Sequence, residues 1–102
     1  MGQHHKLANI HPKAKLGKKV TVEAFATIEE GVEIGEGTWI GPNAVVLKGT
    51  KVGNNCKIFP GAVVGAEPQD LKFEGEESIL EVGNNVIIRE YATINRLSLI
   101  HI

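Results

Sequence analysis

From Ile10 to Val64 an aliphatic residue stands at every sixth position: Ile10, Leu16, Val22, Ile28, Ile34, Ile40, Val46, Val52, Ile58 and Val64. Two places earlier the residue is small or β-branched, from Ala8 and Ala14 through Thr38, Thr50 and Cys56 to Ala62. A helix repeats at about 3.6 residues and a flat strand at about 2, so neither gives this spacing. Six residues make a short strand and a corner, and repeated corners coil a chain into a parallel β-helix. Both columns point inward, the aliphatic one filling the tube and the smaller one lying near the corners. Glycine often follows the aliphatic residue, as at Gly17, Gly35, Gly41, Gly53 and Gly65, and is read as the place where the backbone turns. Three hexads complete one coil, so residues 18 apart stack: Ile10, Ile28, Val46, Val64.

Charged residues fall between the inward columns. Lys18, Lys19, Glu29, Glu30, Glu36, Lys48 and Lys51 are therefore read as solvated faces and corners. Trp39 precedes inward Ile40 and should point outward. With no other large ring expected nearby, it reads as an interface residue. Cys56 lies in the small-residue column and reads as a packing residue.

The rhythm breaks after Val64. Asp70 and Glu76 stand where aliphatic residues are due, in a charged stretch that also holds Pro68 and Gly75. Burying two carboxylates without partners is costly, so this stretch, near 66–79, is expected to be a loop thrown out from a corner. Loops on rigid scaffolds carry function disproportionately. The repeats resume at Val82, Ile88 and Ile94. The loop replaces about two hexads, which puts Val82 on the face after Val64's. Ile100 keeps the phase, but Leu97–Ile102 has no glycine corner. The expected organisation is a polar, disordered lead-in at 1–7, a β-helix of about four coils at 8–96, and a non-matching tail at 97–102. That tail reads as foreign sequence appended to a truncated frame.

Composition narrows the function. Only 5 % of residues are aromatic against 42 % apolar, which suits a narrow core of Val, Ile and Ala. A net charge of −1 gives no overall attraction for nucleic acid or an anionic membrane. No stretch is long and apolar enough to cross a bilayer, and none reads as a signal peptide. A single cysteine excludes an internal disulfide and fits a reducing compartment, so the protein is expected to be cytoplasmic. His4 and His5 are adjacent but have no third ligand at metal spacing, so no metal site is expected.

Repeats such as Ile34-Gly-Glu-Gly-Thr-Trp39 and Val52-Gly-Asn-Asn-Cys-Lys57 resemble those of the hexapeptide-repeat acyltransferases. Three motifs narrow the match: Asn9-Ile-His-Pro12, Pro68-Gln-Asp-Leu-Lys72 with Gly75-Glu76, and Ile88-Arg-Glu-Tyr-Ala-Thr-Ile-Asn-Arg96. In this order they resemble the N-terminal part of the UDP-N-acetylglucosamine O-acyltransferases, over about residues 8–96. The resemblance implies an all-β, left-handed parallel β-helix, an exception to the usual right-handed crossover. It also implies transfer of a 3-hydroxyacyl chain to the sugar's 3-hydroxyl, the first step of lipid A synthesis. The partners it implies are acyl carrier protein, whose phosphopantetheine thioester is the donor, and UDP-N-acetylglucosamine, in a homotrimer with no further cofactor.

Carried over residue by residue, Gln69, Asp70 and Lys72 match the family's substrate loop. Asp70 would accept a hydrogen bond from a hydroxyl, and Lys72 would face the phosphates as a point charge. Arg89, Glu90, Asn95 and Arg96 match the third motif, with a role in holding the fold as good a reading as ligand contact. The family's basic histidine lies on a later coil, and here Leu97 replaces the Gly-Thr that comes after the third motif. No catalytic residue is therefore assigned in this chain, and neither His11 nor His101 is taken as the base. Other readings are a sugar N-acyltransferase, disfavoured by Gln69-Asp-Leu-Lys72, and a non-catalytic β-helix assembly module. A γ-class carbonic anhydrase-like enzyme needs three zinc histidines at one site, whereas the four here sit at the two ends.

Overall fold

A computed structural model describes residues 2–66, 79–95 and 99–101. They form a three-sided coil of short parallel strands. The first face stacks β1 (Asn9–Ile10), β4 (Thr27–Ile28), β7 (Val45–Val46), β10 (Val63–Ala66) and β13 (Thr93–Asn95). The second stacks β2 (Lys15–Leu16), β5 (Glu33–Ile34), β8 (Thr50–Val52), β11 (Ile79–Val82) and β14 (Leu99–His101). The third stacks β3 (Thr21–Val22), β6 (Trp39–Ile40), β9 (Lys57–Ile58) and β12 (Ile87–Ile88). The described strands thus make four complete coils and two strands of a fifth.

The 18-residue rule holds through the first four coils. Ile10 pairs with Ile28, Ile28 with Val46, and Val46 with Val64. Ile40 and Ile58 stack in the same way on the third face and are fully buried. Burying one such side chain stabilises the fold by roughly 1.5–3 kcal/mol. Above the insert, Val82 pairs with Val52 on the second face and Ile94 pairs with Val64 on the first. The face expected for Val82 is the one observed.

The corners differ from the sequence reading. Gly65, directly after Val64 with φ of 90°, is the exception; elsewhere the left-handed residue at the corners is the third after the aliphatic position and not the glycine directly after it. Gly31, Gly37, Gly49 and Gly61 stand there with φ from 74 to 88°, and Asn43, Asn55 and Asn85 with φ from 56 to 61°. The amide of Ala44 donates to Gly41 O and that of Ala62 to Phe59 O, both at 3.2 Å. Proline precedes the left-handed residue in Pro42-Asn43 and Pro60-Gly61. This is type II turn chemistry, with Pro at the second place and Gly or Asn at the third. Lys19, Phe25 and Tyr91 occupy the same place with φ of 58 to 64°. The conformation costs a residue with a bulky Cβ about 1–2 kcal/mol.

The glycines after the aliphatic residue serve close approach between coils. A Cβ on Gly35 would meet the Gly53 carbonyl carbon at 2.6 Å, and one on Gly53 would meet Gly83 O at 2.7 Å. Small residues here admit an asparagine ladder. Glu36 N–H donates to Asn54 Oδ1 at 2.9 Å, and Asn54 N–H to Asn84 Oδ1 at 2.8 Å.

The outward residues of the second face alternate in sign. Lys15 pairs with Glu33, Glu33 with Lys51, and Lys51 with Glu81. Lys51 Nζ lies 3.8 Å from Glu33 Oε2, both about half exposed. Such a pair contributes little, about 0–1 kcal/mol, but opposite charges in register avoid like-charge repulsion. Cys56 is buried as expected, its thiol 3.0 Å from Gly83 O.

Both ends depart from expectation. In the lead-in, His4 forms a parallel bridge with Val22, His5 N–H donates to Val22 O at 2.8 Å, and Val22 N–H donates to Gln3 O at 2.7 Å. The lead-in thus covers the lower edge of β3, where open backbone groups would otherwise invite strand pairing. In the tail, Leu99–His101 forms β14 beside β11, but Ile100 pairs with Leu80, not Val82. The sixfold phase has slipped by two residues there.

Two substitutions test the corner chemistry. Gly35→Ala should lower stability in urea by about 2 kcal/mol or more, because the new methyl has no room against the next coil's backbone. Phe25→Asn, at an exposed left-handed corner, should raise stability by about 1 kcal/mol, the same measurement giving the opposite sign.

Candidate functional site

Gln69, Asp70 and Lys72 lie outside the described residues. What is fixed is the edge that carries them. β10 ends at Ala66 on the first face, and β11 begins at Ile79 on the second. The insert therefore replaces one corner on the edge between these faces, where regular coil would have buried two carboxylates.

Lower coils make the same edge from ordinary corners, with polar groups already engaged. His11 Nδ1 accepts the Lys13 N–H at 3.0 Å. Glu29 Oε1 accepts the Lys48 N–H at 2.9 Å, and Glu30 Oε2 lies 3.8 Å from Lys13 Nζ. A shallow groove of about 390 Å³ runs beside them, lined by Asn9, His11, Thr27, Glu29, Glu30 and Lys48. His11, on the lowest coil, serves a turn, and nothing here places it near the insert. Among the described residues no three His, Cys, Asp or Glu side chains converge as a metal-holding group.

The third motif divides between two edges. Asn95 lies on β13, where its backbone registers with Ala66 at the root of the insert. Arg89 and Glu90 sit one face away, at the corner between the third and first faces. Arg89 Cζ lies 4.6 Å from the centre of the Phe59 ring, and Arg89 Nε donates to Glu90 Oε1 at 3.1 Å. The hydrogen bond from its own backbone, helped by Arg89, holds the exposed Glu90 carboxyl below the usual carboxylate range. These contacts tie Arg89 and Glu90 to their own corner, the fold-holding alternative. Arg96 lies outside the described residues.

The same corner contains an arrangement that sequence reading missed. Glu23, Gly41, Phe59 and Arg89 occupy one position on successive coils. Gly41 leaves a slot, and the Trp39 ring fills it: a Cβ on Gly41 would lie 3.0 Å from Trp39 Cη2. Trp39 Nε1 donates downward to Glu23 Oε2 at 2.8 Å. Its ring meets Phe59 edge-on, with centroids 5.8 Å apart and planes at 84°. The expectation that no large ring lies near Trp39 is thus corrected. Phe59 is 20 residues away in sequence but on the adjacent coil. Adding 18 at the corner positions, and 30 across the insert, would have revealed this column. Around it Phe25, Ile87 and Tyr91 stay exposed.

Phe59→Ala should remove the edge contact and the Arg89 stack together. The expected loss is about 1–2 kcal/mol, with a red shift of the single tryptophan's emission as Trp39 is freed.

Comparison with known proteins extends this picture. Residues 31–66 match the family model "Bacterial transferase hexapeptide (six repeats)". An acyl-[acyl-carrier-protein]–UDP-N-acetylglucosamine O-acyltransferase from Thermodesulfovibrio yellowstonii is 44 % identical over 99 residues, covering 96 % of this chain and 38 % of that protein. A crystal structure of the Bacteroides fragilis UDP-N-acetylglucosamine acyltransferase superposes with a TM-score of 0.89 at 47 % identity, over 95 % of this chain and 40 % of that one. The Francisella novicida UDP-N-acetylglucosamine acyltransferase gives 0.93 at 30 % identity, over 98 % and 38 %. The chain spans about two fifths of the length of these relatives. Their likeness gives the coil its left hand. Residues 31–66 thus carry the repeats of the hexapeptide transferases, and the chain resembles, in sequence and in coil geometry, about two fifths of the length of the UDP-N-acetylglucosamine O-acyltransferases.

Proposed function

We propose that this chain supplies the sugar-nucleotide-holding coils of an acyltransferase acting between acyl carrier protein and UDP-N-acetylglucosamine, at the first step of lipid A synthesis. The sugar's 3-hydroxyl oxygen attacks the 3-hydroxyacyl thioester carbon, the new ester C–O bond forms, and the C–S bond to phosphopantetheine breaks. The hydroxyl proton passes to a base, and the thiol of the carrier leaves. No residue of this chain is assigned as that base, which belongs to coils beyond those present. Gln69, Asp70 and Lys72 are proposed to hold the sugar nucleotide. Asp70 accepts a hydrogen bond from a substrate hydroxyl, and Lys72 lies against the diphosphate, where an ammonium acts as a compact charge. A homotrimer in the cytoplasm is the proposed setting.

The observation that carries this reading is identity of 44 % across nearly the whole chain, to a relative named for this reaction. The position of the insert supports it. The described array is interrupted at one edge, between Ala66 and Ile79, and breaks on rigid scaffolds are where function is often carried.

Purified chain mixed with 3-hydroxyacyl carrier protein and UDP-N-acetylglucosamine should give no product. Joined to the remaining coils of a relative, it should transfer the acyl chain. In that completed enzyme Lys72→Ala should raise KM for the sugar nucleotide by about tenfold or more, the equivalent of one charge-assisted hydrogen bond. Turnover by the 102-residue chain alone would overturn the placing of the base. An unchanged KM in the variant would remove Lys72 from the site.

A further inference from the structure

Among the described residues the exposed large hydrophobic side chains are Leu7, Phe25, Ile87 and Tyr91. Three of these stand in one column on the edge between the third and first faces. Its backbone climbs coil by coil: Phe25 N–H donates to Leu7 O at 3.3 Å, Asn43 N–H to Ala24 O, Gly61 N–H to Pro42 O and Tyr91 N–H to Pro60 O, the last three at 3.2 Å. The column is therefore Leu7, Phe25, Asn43, Gly61, Tyr91. The Tyr91 ring lies over Gly61, where a Cβ would collide with it. Phe25 is 60 % and Tyr91 81 % exposed, and both hold left-handed backbone, with φ of 64° and 58°. Asparagine, present at Asn43 with φ of 61°, would relieve both places in the single chain. Large rings kept exposed at strained positions mark a contact with something outside the chain.

The placing of charge says what covers this ridge. A rotation axis beside an edge sets each residue against its own copies, so an unpaired charge there would meet itself. The two middle corners of this edge, Gly41-Pro42-Asn43 and Phe59-Pro60-Gly61, carry no charge. At the corner below, Glu23 is held by Trp39 Nε1, and at the corner above, Arg89 and Glu90 are held by each other. Lys6, in the lead-in at the foot of the ridge, is the exception. The edge between the first and second faces instead carries Glu29, Glu30 and Lys48 on its middle corners. The first face, which adjoins the ridge, continues the pattern. Its outward residues Asn9, Thr27, Val45, Val63 and Thr93 are all uncharged, whereas those of the second face are all charged.

We propose that copies of this chain meet along this edge and the adjoining first face, side by side about an axis next to Phe25, Asn43 and Tyr91. A straight ridge that climbs from coil to coil is matched along its whole length by a second rod built the same way. Tyr91 and Phe25 supply the buried rings on which such contacts depend. Behind them the edge-on packing of Trp39 and Phe59 stiffens the ridge. The proposal gives the homotrimer named above a contact surface, and it rests on that reading only for the number of copies.

The test is the mass of the 102-residue chain by sedimentation equilibrium over a range of concentrations, comparing wild type, Asn43→Asp and Asn55→Asp. Aspartate keeps the shape of asparagine and accepts the left-handed corner. Asn43→Asp sets like charges together at the axis and should weaken self-association about tenfold or more at low salt, with recovery at high salt. Asn55 is exposed at the matching corner between the second and third faces, so Asn55→Asp should associate as wild type does. Asn43→Cys should form a disulfide between chains on air oxidation, because each copy meets its own cysteine, and Asn55→Cys should not. Cys56 is buried and stays out of this readout. A wild-type chain that is monomeric at every concentration would overturn the proposal and leave the ridge to a different partner. Equal association of the two aspartate variants would overturn it too, as would a disulfide formed as readily from Asn55→Cys as from Asn43→Cys. Association to a dimer, with the Asn43 variants behaving as expected, would refute the trimer and uphold the edge.

Discussion

Each described strand is only two to four residues long and finds its partners on neighbouring coils. Isolated, such a strand has nothing to pair with. The backbone ladder and the inward aliphatic column are therefore one constraint: residues 18 apart must lie in register, or both fail together. Ile28 shows the coupling. Its backbone pairs with Ile10 and Val46 while its side chain packs between theirs. Stability in such an array is close to a sum of contacts between neighbouring coils, through which the core runs continuously. The end coils are then the weak points, and the bridge at His4 covers the edge of one of them.

Inward residues were legible because the period binds them directly. Ile40, Val46, Ile58 and Val64 lie where spacing alone puts them, and Val82 took the face expected once two hexads were allotted to the insert. The corners were misread because glycine has two separate uses here. At Gly61 it adopts a backbone conformation, whereas at Gly35 it leaves room for the next coil. Both look alike in a sequence. Pro42-Asn43 and Pro60-Gly61 mark the true turn. The Trp39 slot was hidden for another reason: it depends on an absent side chain at Gly41 and on rings from different coils. The slip at Ile100 was also invisible, because Leu80 and Val82 are both apolar and either could receive it.

The two edges flanking the first face divide the labour. One carries the insert and is otherwise built of corners whose acids are already engaged with lysine or with backbone N–H groups. The other concentrates most of the chain's rings and keeps Phe25 and Tyr91 in conformations that glycine or asparagine would adopt with less strain. Strain of this kind persists where surroundings or function hold it. Residues 88–95 run from the second of these edges back to the root of the insert. They thereby join a structural corner to the strand that launches the candidate site.

The alternation along the second face limits how such an array can lengthen. Lys15, Glu33, Lys51 and Glu81 carry opposite signs on successive turns of the coil. Tandem duplication of a single 18-residue unit would set lysine over lysine or glutamate over glutamate, whereas duplication of two units would preserve the alternation. Growth of this lineage by gene duplication would thus be favoured in pairs of coils, a parity rule written in surface charge and not in the interior.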